Sequence, residues 1–177
     1  MPLDQRAKAV DAVDVLGDLI IDLVAGVMVF REYEASFKKS ATQDDIYLSV
    51  KRLCVFHLIL SLHKAIEFWK RYKSVVPNDL KEPFKSFVKT LEGRKITEFR
   101  NKYIDHIWDK DLSRPLVHSE VIERMEILCG GDLNSFLNWI NNPKGNSFPS
   151  TVISVIQTTR DAMIAKHQIA NHEIIER

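Results

Sequence analysis

Apolar residues recur at steps of three and four along nearly the whole chain, which is the period of a helix buried on one side. No stretch alternates with a period of two, and no Asn-Gly or Asp-Gly pair marks a hairpin. The sequence therefore predicts an all-α fold. The longest apolar stripe comprises Val10, Val13, Leu16, Ile20, Leu23, Val24, Val27 and Phe30.

Capping and helix-breaking residues divide this pattern into two long helices followed by several shorter ones. Long amphipathic helices joined by modest loops pack as an antiparallel bundle, and no linker or repeat divides residues 1–177, so we expect a single helical domain. The expected helices span about Asp4–Ser36, Asp44–Ser74, Asp79–Leu91, Ile96–Asp109, Ser119–Cys129, Asp132–Asn141 and Pro149 to the C-terminus.

The two cysteines indicate a reducing compartment. Cys54 and Cys129 are far apart in apolar helical contexts and form no C-x-x-C pair, so we expect buried, reduced thiols and a cytoplasmic protein. The N-terminus is too acidic for a secretory signal. The apolar run Leu16–Phe30 is interrupted by Asp18 and Asp22 and is too short to span a membrane, so membrane insertion is not expected.

Charge is unevenly distributed, although the formal net charge is only +1. Residues Met1–Glu34 contain seven acidic and three basic side chains, whereas Lys64–Lys102 contains eleven basic and five acidic ones. A basic middle segment could attract a polyanion on one side of the protein. A lysine-rich face that is simply solvated explains the same pattern.

The residues best suited to phosphate chemistry lie in the segment Phe99–Trp108. Arg100 is a permanent cation, Asn101 follows it, and His106 can transfer protons near neutral pH. Six residues turn an α-helix by about 600°, which leaves Arg100 and His106 about 120° apart. Their cooperation therefore requires a non-ideal helix or a meeting across a symmetric dimer.

Arginine followed by histidine at a similar spacing is a common coincidence, and this chain contains two other examples. Arg52 with His57, and Arg160 with His167, are expected to be helix residues without a shared function. The structural alternative for the main motif is that Arg100 pairs with a carboxylate and that its histidine packs near a tryptophan.

The segment Arg100-Asn101-Lys-Tyr-Ile-Asp-His106 resembles the R-x(4–6)-H motif of the HEPN superfamily, including the polar residue after the arginine. The resemblance extends over about Met1–Trp108 in helical organisation, and it is similar to HEPN proteins of bacterial toxin–antitoxin and abortive-infection systems. It implies a metal-independent endoribonuclease without a cofactor. In such proteins two motifs face an RNA cleft across a homodimer.

The resemblance also implies a role for each motif residue. His106 would assist attack by the 2′-hydroxyl or protonate the leaving oxygen, and Arg100 would stabilise charge on the phosphate. Asn101 would orient the histidine or bind a phosphate. Lys95 and Lys102 would contact the RNA backbone, and Tyr103 would stack on a base unless it belongs to the core.

One departure from the family concerns control by a partner. Some HEPN toxins carry a tyrosine two residues after the histidine, which an antitoxin of the nucleotidyltransferase type modifies. This chain has Trp108 there, so that modification is chemically impossible. Some family members bind nucleotides or partners without cleavage, which leaves a non-catalytic helical-bundle interaction protein, or one that binds nucleotides or RNA, as the alternative.

Metal binding is a third interpretation, and the sequence gives it little support. His63 with Glu67, and Cys54 with His57, have spacings that could share a ligand face, but neither has a second pair. No metal site is expected.

Overall fold

The computed structural model describes residues 3–37, 44–104, 108–109, 113–115 and 117–170. Two long helices are followed by shorter ones and by a two-stranded antiparallel ladder of two residues a strand, in which Trp108 pairs with Pro115. The elements are α1 (Leu3–Phe37), α2 (Asp44–Tyr72), α3 (Asn78–Gly93), α4 (Ile96–Phe99), a π-helical segment (Arg100–Ile104), β1 (Trp108–Asp109), β2 (Arg114–Pro115), α5 (His118–Cys129), α6 (Leu133–Ile140) and α7 (Val152–His167).

Four helices enclose the hydrophobic core as a closed ring. α1 contacts α2 and α7, and α3 closes the ring by contacting the same two helices. α1 and α2 run antiparallel, since Tyr33 near the end of α1 stacks on Tyr47 near the start of α2. The predicted all-α antiparallel bundle is therefore confirmed. The largest fully enclosed side chains are Phe68, Phe84, Phe136, Leu16, Leu19, Leu23, Leu58, Ile59, Leu62, Ile66, Leu91 and Ile96.

The first two helices lie close together at Gly26. A Cβ atom at this position would lie 2.8 Å from Cδ2 of Leu58 and 3.1 Å from Cδ2 of His57. On the same side of α1, Asp22 accepts a hydrogen bond from Lys64 Nζ at 3.0 Å. The absence of a side chain at Gly26 thus lets the two helices pack at this short distance.

His167 holds the end of α7 against the turn that follows α2. Its Nε2 lies 2.9 Å from the carbonyl oxygen of Val75, and the side chain is buried. This contact explains His167 as a structural residue. It supports the expectation that the Arg160–His167 pair arose by coincidence.

Two predicted helix boundaries are wrong. Periodicity extends the fourth helix to Asp109, but Trp108 and Asp109 form β1, whose partner strand β2 lies at a helix-breaking Arg-Pro pair. Periodicity also extends the last helix to the C-terminus, but it ends at His167, where Gln168 adopts the left-handed conformation with φ 52°. Neither feature is visible in helical periodicity, because the first depends on pairing between two short strands and the second on a local backbone conformation.

Both cysteines are buried and free, as predicted. Burial raises the pKa of Cys129 to about 12 and raises the pKa of Cys54 as well. Both groups are therefore neutral thiols at physiological pH.

One helix among the described residues, spanning Ile46–Tyr72 in α2, is long and apolar enough to cross a membrane by those two criteria alone. This helix contacts α1 and α3 in the core. Core helices of soluble proteins satisfy the same criteria, and α2 also carries Lys51, Arg52 and Lys64. We interpret α2 as such a core helix.

The close approach at Gly26 makes a stability prediction with an internal control. We expect Gly26→Ala to lower the free energy of unfolding by about 1 kcal/mol, because overpacking against Leu58 outweighs the gain in helix propensity. Gly17 lies in the same helix, and a Cβ atom there would meet no neighbouring atom within 4 Å, so Gly17→Ala should raise it by about 0.5–1 kcal/mol. Urea unfolding of both variants measures whether each change lowers or raises the free energy of unfolding. Equal effects would contradict this account of the α1–α2 contact.

Candidate functional site

The predicted motif begins where a helix changes its hydrogen-bonding pattern. The chain is α-helical from Ile96 to Phe99 and π-helical from Arg100 to Ile104. π-helical turns are rare and occur frequently at functional sites. We refer to Ile96–Ile104 as the motif helix.

Two contacts with α2 hold the motif helix in place. The ring of Phe99 packs edge-on against Phe56 with centroids 5.9 Å apart. His63 lies almost fully buried with Nδ1 3.2 Å from Oγ1 of Thr97, while its Nε2 is 3.4 Å from a carboxylate oxygen of Glu67. His63 therefore links α2 to the motif helix.

Arg100 and Asn101 lie together at the start of the π-helical segment. Nη1 of Arg100 donates a hydrogen bond to Oδ1 of Asn101 at 3.0 Å. Arg100 is half-buried, whereas Asn101 is exposed. The asparagine thus orients the guanidinium group directly, a role that the sequence did not suggest.

His106, the third predicted catalytic residue, lies outside the described residues. His57 in the first coincidental pair is exposed, and its Nε2 is 3.1 Å from the carbonyl oxygen of Asp22. That contact gives His57 a structural explanation within the α1–α2 packing.

The two lysines predicted to bind RNA share one carboxylate. Nζ of Lys95 lies 3.7 Å from Glu98, and Nζ of Lys102 lies 3.6 Å from the same side chain. All three are exposed, so each ion pair is weak and screened by salt. Lys95 has the left-handed conformation, with φ 58°, at the corner between α3 and α4.

A cavity of about 350 Å³ lies between the motif helix and α5. Tyr103 and Lys95 line it, but Arg100, Asn101 and Lys102 do not. Tyr103 is half-buried, and its ring centroid is 4.9 Å from that of Phe99. The structure therefore divides the predicted residues between the cavity and the adjoining helix surface. The cavity is lined by Gly93, Arg94, Lys95, Glu98, Phe99, Tyr103, Arg124, Ile127 and Leu128.

Arg94 fixes the two sides of this cavity relative to each other. Its Nη1 donates to the carbonyl oxygen of Leu128 at 3.0 Å. Its guanidinium carbon lies 4.7 Å from the ring centroid of Trp139 and 5.6 Å from that of Phe136. A single arginine thus joins the α3–α4 corner to both α5 and α6.

The start of α5 is held by a bidentate ion pair. Arg114 in β2 donates to both carboxylate oxygens of Glu120, and the Val117 N–H donates to Glu120 Oε2 at 3.1 Å. The hydrogen bond from Arg114, followed by that from Val117, lowers the pKa of Glu120. Arg114 is therefore a structural residue.

Within the described ranges, no group of three His, Cys, Asp or Glu side chains lies together as a metal centre requires. The residues that sequence reasoning missed are Glu98, Arg94, Arg124 and Ile127. Helical spacing could have found Glu98, three after Lys95 and four before Lys102. Nothing in the sequence places α5 against the motif helix.

Comparisons with known proteins establish a fold and no family. No family model matches the chain, and no curated protein matches it significantly. A solved structure of an integron cassette protein, Vpc_cass2, from the mobile metagenome of V. paracholerae, is similar with a TM-score of 0.77 and 23% sequence identity. The match covers 89% of this chain and 96% of that one, so nearly the whole helical arrangement is shared.

The left-handed conformation of Lys95 predicts different stabilities for two small substitutions. We expect Lys95→Gly to be more stable than Lys95→Ala by about 1 kcal/mol, because only glycine relieves the strain at φ 58°. Both variants lose the exposed ion pair with Glu98, so that loss cancels in the comparison. Thermal or urea unfolding measures the difference, and an alanine variant as stable as the glycine variant would show that the corner is unstrained.

Proposed function

We propose that this protein is a metal-independent endoribonuclease of the HEPN type, in which Arg100, Asn101 and His106 act on an RNA phosphate. The observation that carries the proposal is the π-helical turn that begins at Arg100. Cooperation between Arg100 and His106 requires a departure from ideal α-helical geometry, and the helix departs from it at the first motif residue.

The contacts of the motif suit the chemistry. Arg100 is a permanent cation with several donors, and Asn101 accepts a hydrogen bond from it, which limits the rotamers of the guanidinium group. A fixed donor stabilises negative charge on the pentacovalent phosphate more than a mobile one does. His106 transfers the proton from the 2′-hydroxyl or to the leaving oxygen. Attack by the 2′-hydroxyl leaves a 2′,3′-cyclic phosphate and a free 5′-hydroxyl.

An RNA cleavage assay in EDTA tests this proposal. Incubation of the full chain with a labelled single-stranded RNA should yield fragments that end in 2′,3′-cyclic phosphate. His106→Ala should lower the cleavage rate by about 10²–10⁴-fold, and Arg100→Ala by about 10²–10³-fold. Asn101→Ala should reduce the rate less, because it removes the orientation of Arg100 and not its charge.

Matched controls come from the coincidental arginine–histidine pairs. His57→Ala and Arg160→Ala replace the same residue types elsewhere in the bundle, and both should cleave like the wild type. A wild-type protein that cuts no RNA, or motif and control variants with equal rates, would refute the nuclease proposal.

The second candidate is a binding protein that does not cleave RNA, and the two exposed lysines at the motif helix favour it. Lys95 and Lys102 form weak, exposed ion pairs with Glu98, so a nucleic-acid backbone can compete for them without any step at His106. Binding of an all-deoxy oligonucleotide, which cannot undergo 2′-hydroxyl attack, measures association without cleavage. Salt-dependent binding of both wild type and Arg100→Ala, with no cleavage of RNA, would support this candidate.

An exposed apolar face supports the homodimer that the family resemblance implies. Ile21, Met28 and Val29 are exposed on α1, and Ile46 and Leu53 are exposed on α2. Leu53 lies between Tyr47 and His57 in α2. Tyr47 stacks on Tyr33 and His57 contacts Asp22, and Val29 lies between these two α1 residues in the sequence. The five residues therefore belong to neighbouring stretches of the two helices, and large apolar side chains exposed in one region are typical of interaction sites. We call them the α1–α2 face.

Charge favours a second copy of this chain as the occupant. α1 carries seven acidic and three basic residues, whereas α2 carries five basic and three acidic ones. A two-fold axis that places each α1 on the partner's α2 brings opposite charges together in both halves of the interface. The motif helix borders this face, since Phe56, three residues after Leu53, contacts Phe99.

Measurement of the oligomeric state tests this interface. Wild type should elute as a dimer in size-exclusion chromatography with light scattering, and Leu53→Glu or Ile21→Glu should yield monomers. The matched control is Ile127→Glu, which replaces an isoleucine of similar exposure outside the face (64% against 67% for Ile21) and should remain dimeric. A monomeric wild type, or a dimer indifferent to all three changes, would remove this face from the proposal.

The proposed setting is a cytoplasmic toxin or defence component that acts on RNA and is restrained by a cognate antitoxin. Two buried neutral thiols support a reducing compartment. Because Trp108 stands at the position that some HEPN toxins use for modification, a nucleotidyltransferase-type antitoxin would have to act elsewhere on this chain.

A further inference from the structure

We propose that the cavity between the motif helix and α5 binds a small aromatic anion, a flat ring that carries a phosphate or carboxylate group. This site is separate from cleavage at Arg100 and His106, because neither Arg100 nor Asn101 lines the cavity. The inference therefore stands whether or not the protein cuts RNA.

The walls of the cavity suit a flat apolar group. Phe99 and Tyr103 line it from the motif helix, and Ile127 and Leu128 line it from α5. Ile127 is 64% exposed, an unusual state for a large aliphatic side chain beside a cavity, and a ligand would cover it. A volume of about 350 Å³ lies within the range of small-molecule sites.

The polar groups at the cavity select for negative charge. Three cations, Arg94, Lys95 and Arg124, line it together with one carboxylate, Glu98. Arg94 is committed to the carbonyl oxygen of Leu128 and to two aromatic rings. Arg124 and Lys95 are exposed and come from different elements, so they can approach an anion from two sides.

Two contacts fix the wall of the cavity that α5 provides. Arg94 ties the α3–α4 corner to the end of α5, and Arg114 holds the first turn of α5 through Glu120. α5 is thus fixed at both ends, and little ordering remains for the ligand to induce.

The probe for this site is phenyl phosphate, titrated by calorimetry or by chemical shifts into the full chain. It should bind, whereas inorganic phosphate lacks the ring and benzyl alcohol lacks the charge, so each should bind at least about tenfold more weakly. Equal binding of inorganic phosphate and phenyl phosphate would overturn the proposal, as would no binding of phenyl phosphate.

Two substitutions with opposite expected effects on the affinity for phenyl phosphate test the location of the site. Arg124→Gln should weaken binding of phenyl phosphate about tenfold, because it removes a charged donor. Glu98→Gln should strengthen binding, because it frees Lys95 from the competing carboxylate. Arg71→Gln, an exposed arginine of α2 outside the cavity, is the matched control and should change nothing. Unchanged affinity in both cavity variants would overturn the proposal, provided that their circular dichroism spectra match the wild type.

Competition experiments distinguish two sources of the ligand, an RNA chain and a free small molecule. If a short single-stranded RNA displaces phenyl phosphate and Arg124→Gln prevents that displacement, the natural occupant is an unpaired nucleotide of an RNA chain. If AMP competes and the RNA does not, the occupant is a free small molecule. Since wild type and His106→Ala should bind phenyl phosphate equally, failure of cleavage and failure of this site are separately observable.

Discussion

The close packing of α1 on α2 at Gly26 is the contact on which the rest of the structure depends. It buries one side of α2 against α1, while another side of the same helix receives the motif helix through Phe56 and His63. The position of the candidate site relative to the bundle is therefore set by a single intervening helix. A change in the α1–α2 distance would shift α2 and everything that packs on its other side.

Periodicity is sufficient to predict the helices that pack into the bundle. The apolar stripe of α1 is buried or partly buried in the core, and the cap at Asp132 forms as its residue type suggests, with its carboxylate accepting from the N–H of Asn134 at 2.9 Å. Periodicity fails where strand pairing or a local backbone conformation decides the outcome. β1 exists because Trp108 meets Pro115, and α7 ends at a left-handed Gln168.

The same distinction separates the parts of the candidate site that the sequence could predict from those that it could not. Residues close together on one helix, such as Arg100 and Asn101, could be associated from the sequence, and so could the shared carboxylate Glu98. The cavity could not, because its other wall and one of its cations belong to α5. The arginine that joins those walls, Arg94, is indistinguishable in the sequence from the surrounding basic residues until its partners at Leu128 and Trp139 are known.

The π-helical turn has a consequence for how this protein can vary. A π turn accommodates one residue more than the α-helical turn it replaces, so it stands in the chain like a tolerated single-residue insertion. Removal of one residue between Arg100 and Ile104 would let the helix return to α geometry while Phe99 keeps its place against Phe56. The residues after the deletion would keep nearly their present register on the helix, because an α turn completes nearly the same rotation with one residue fewer. Among homologues, a gap of one residue at this point is therefore compatible with the same bundle and the same packing of the motif helix on α2.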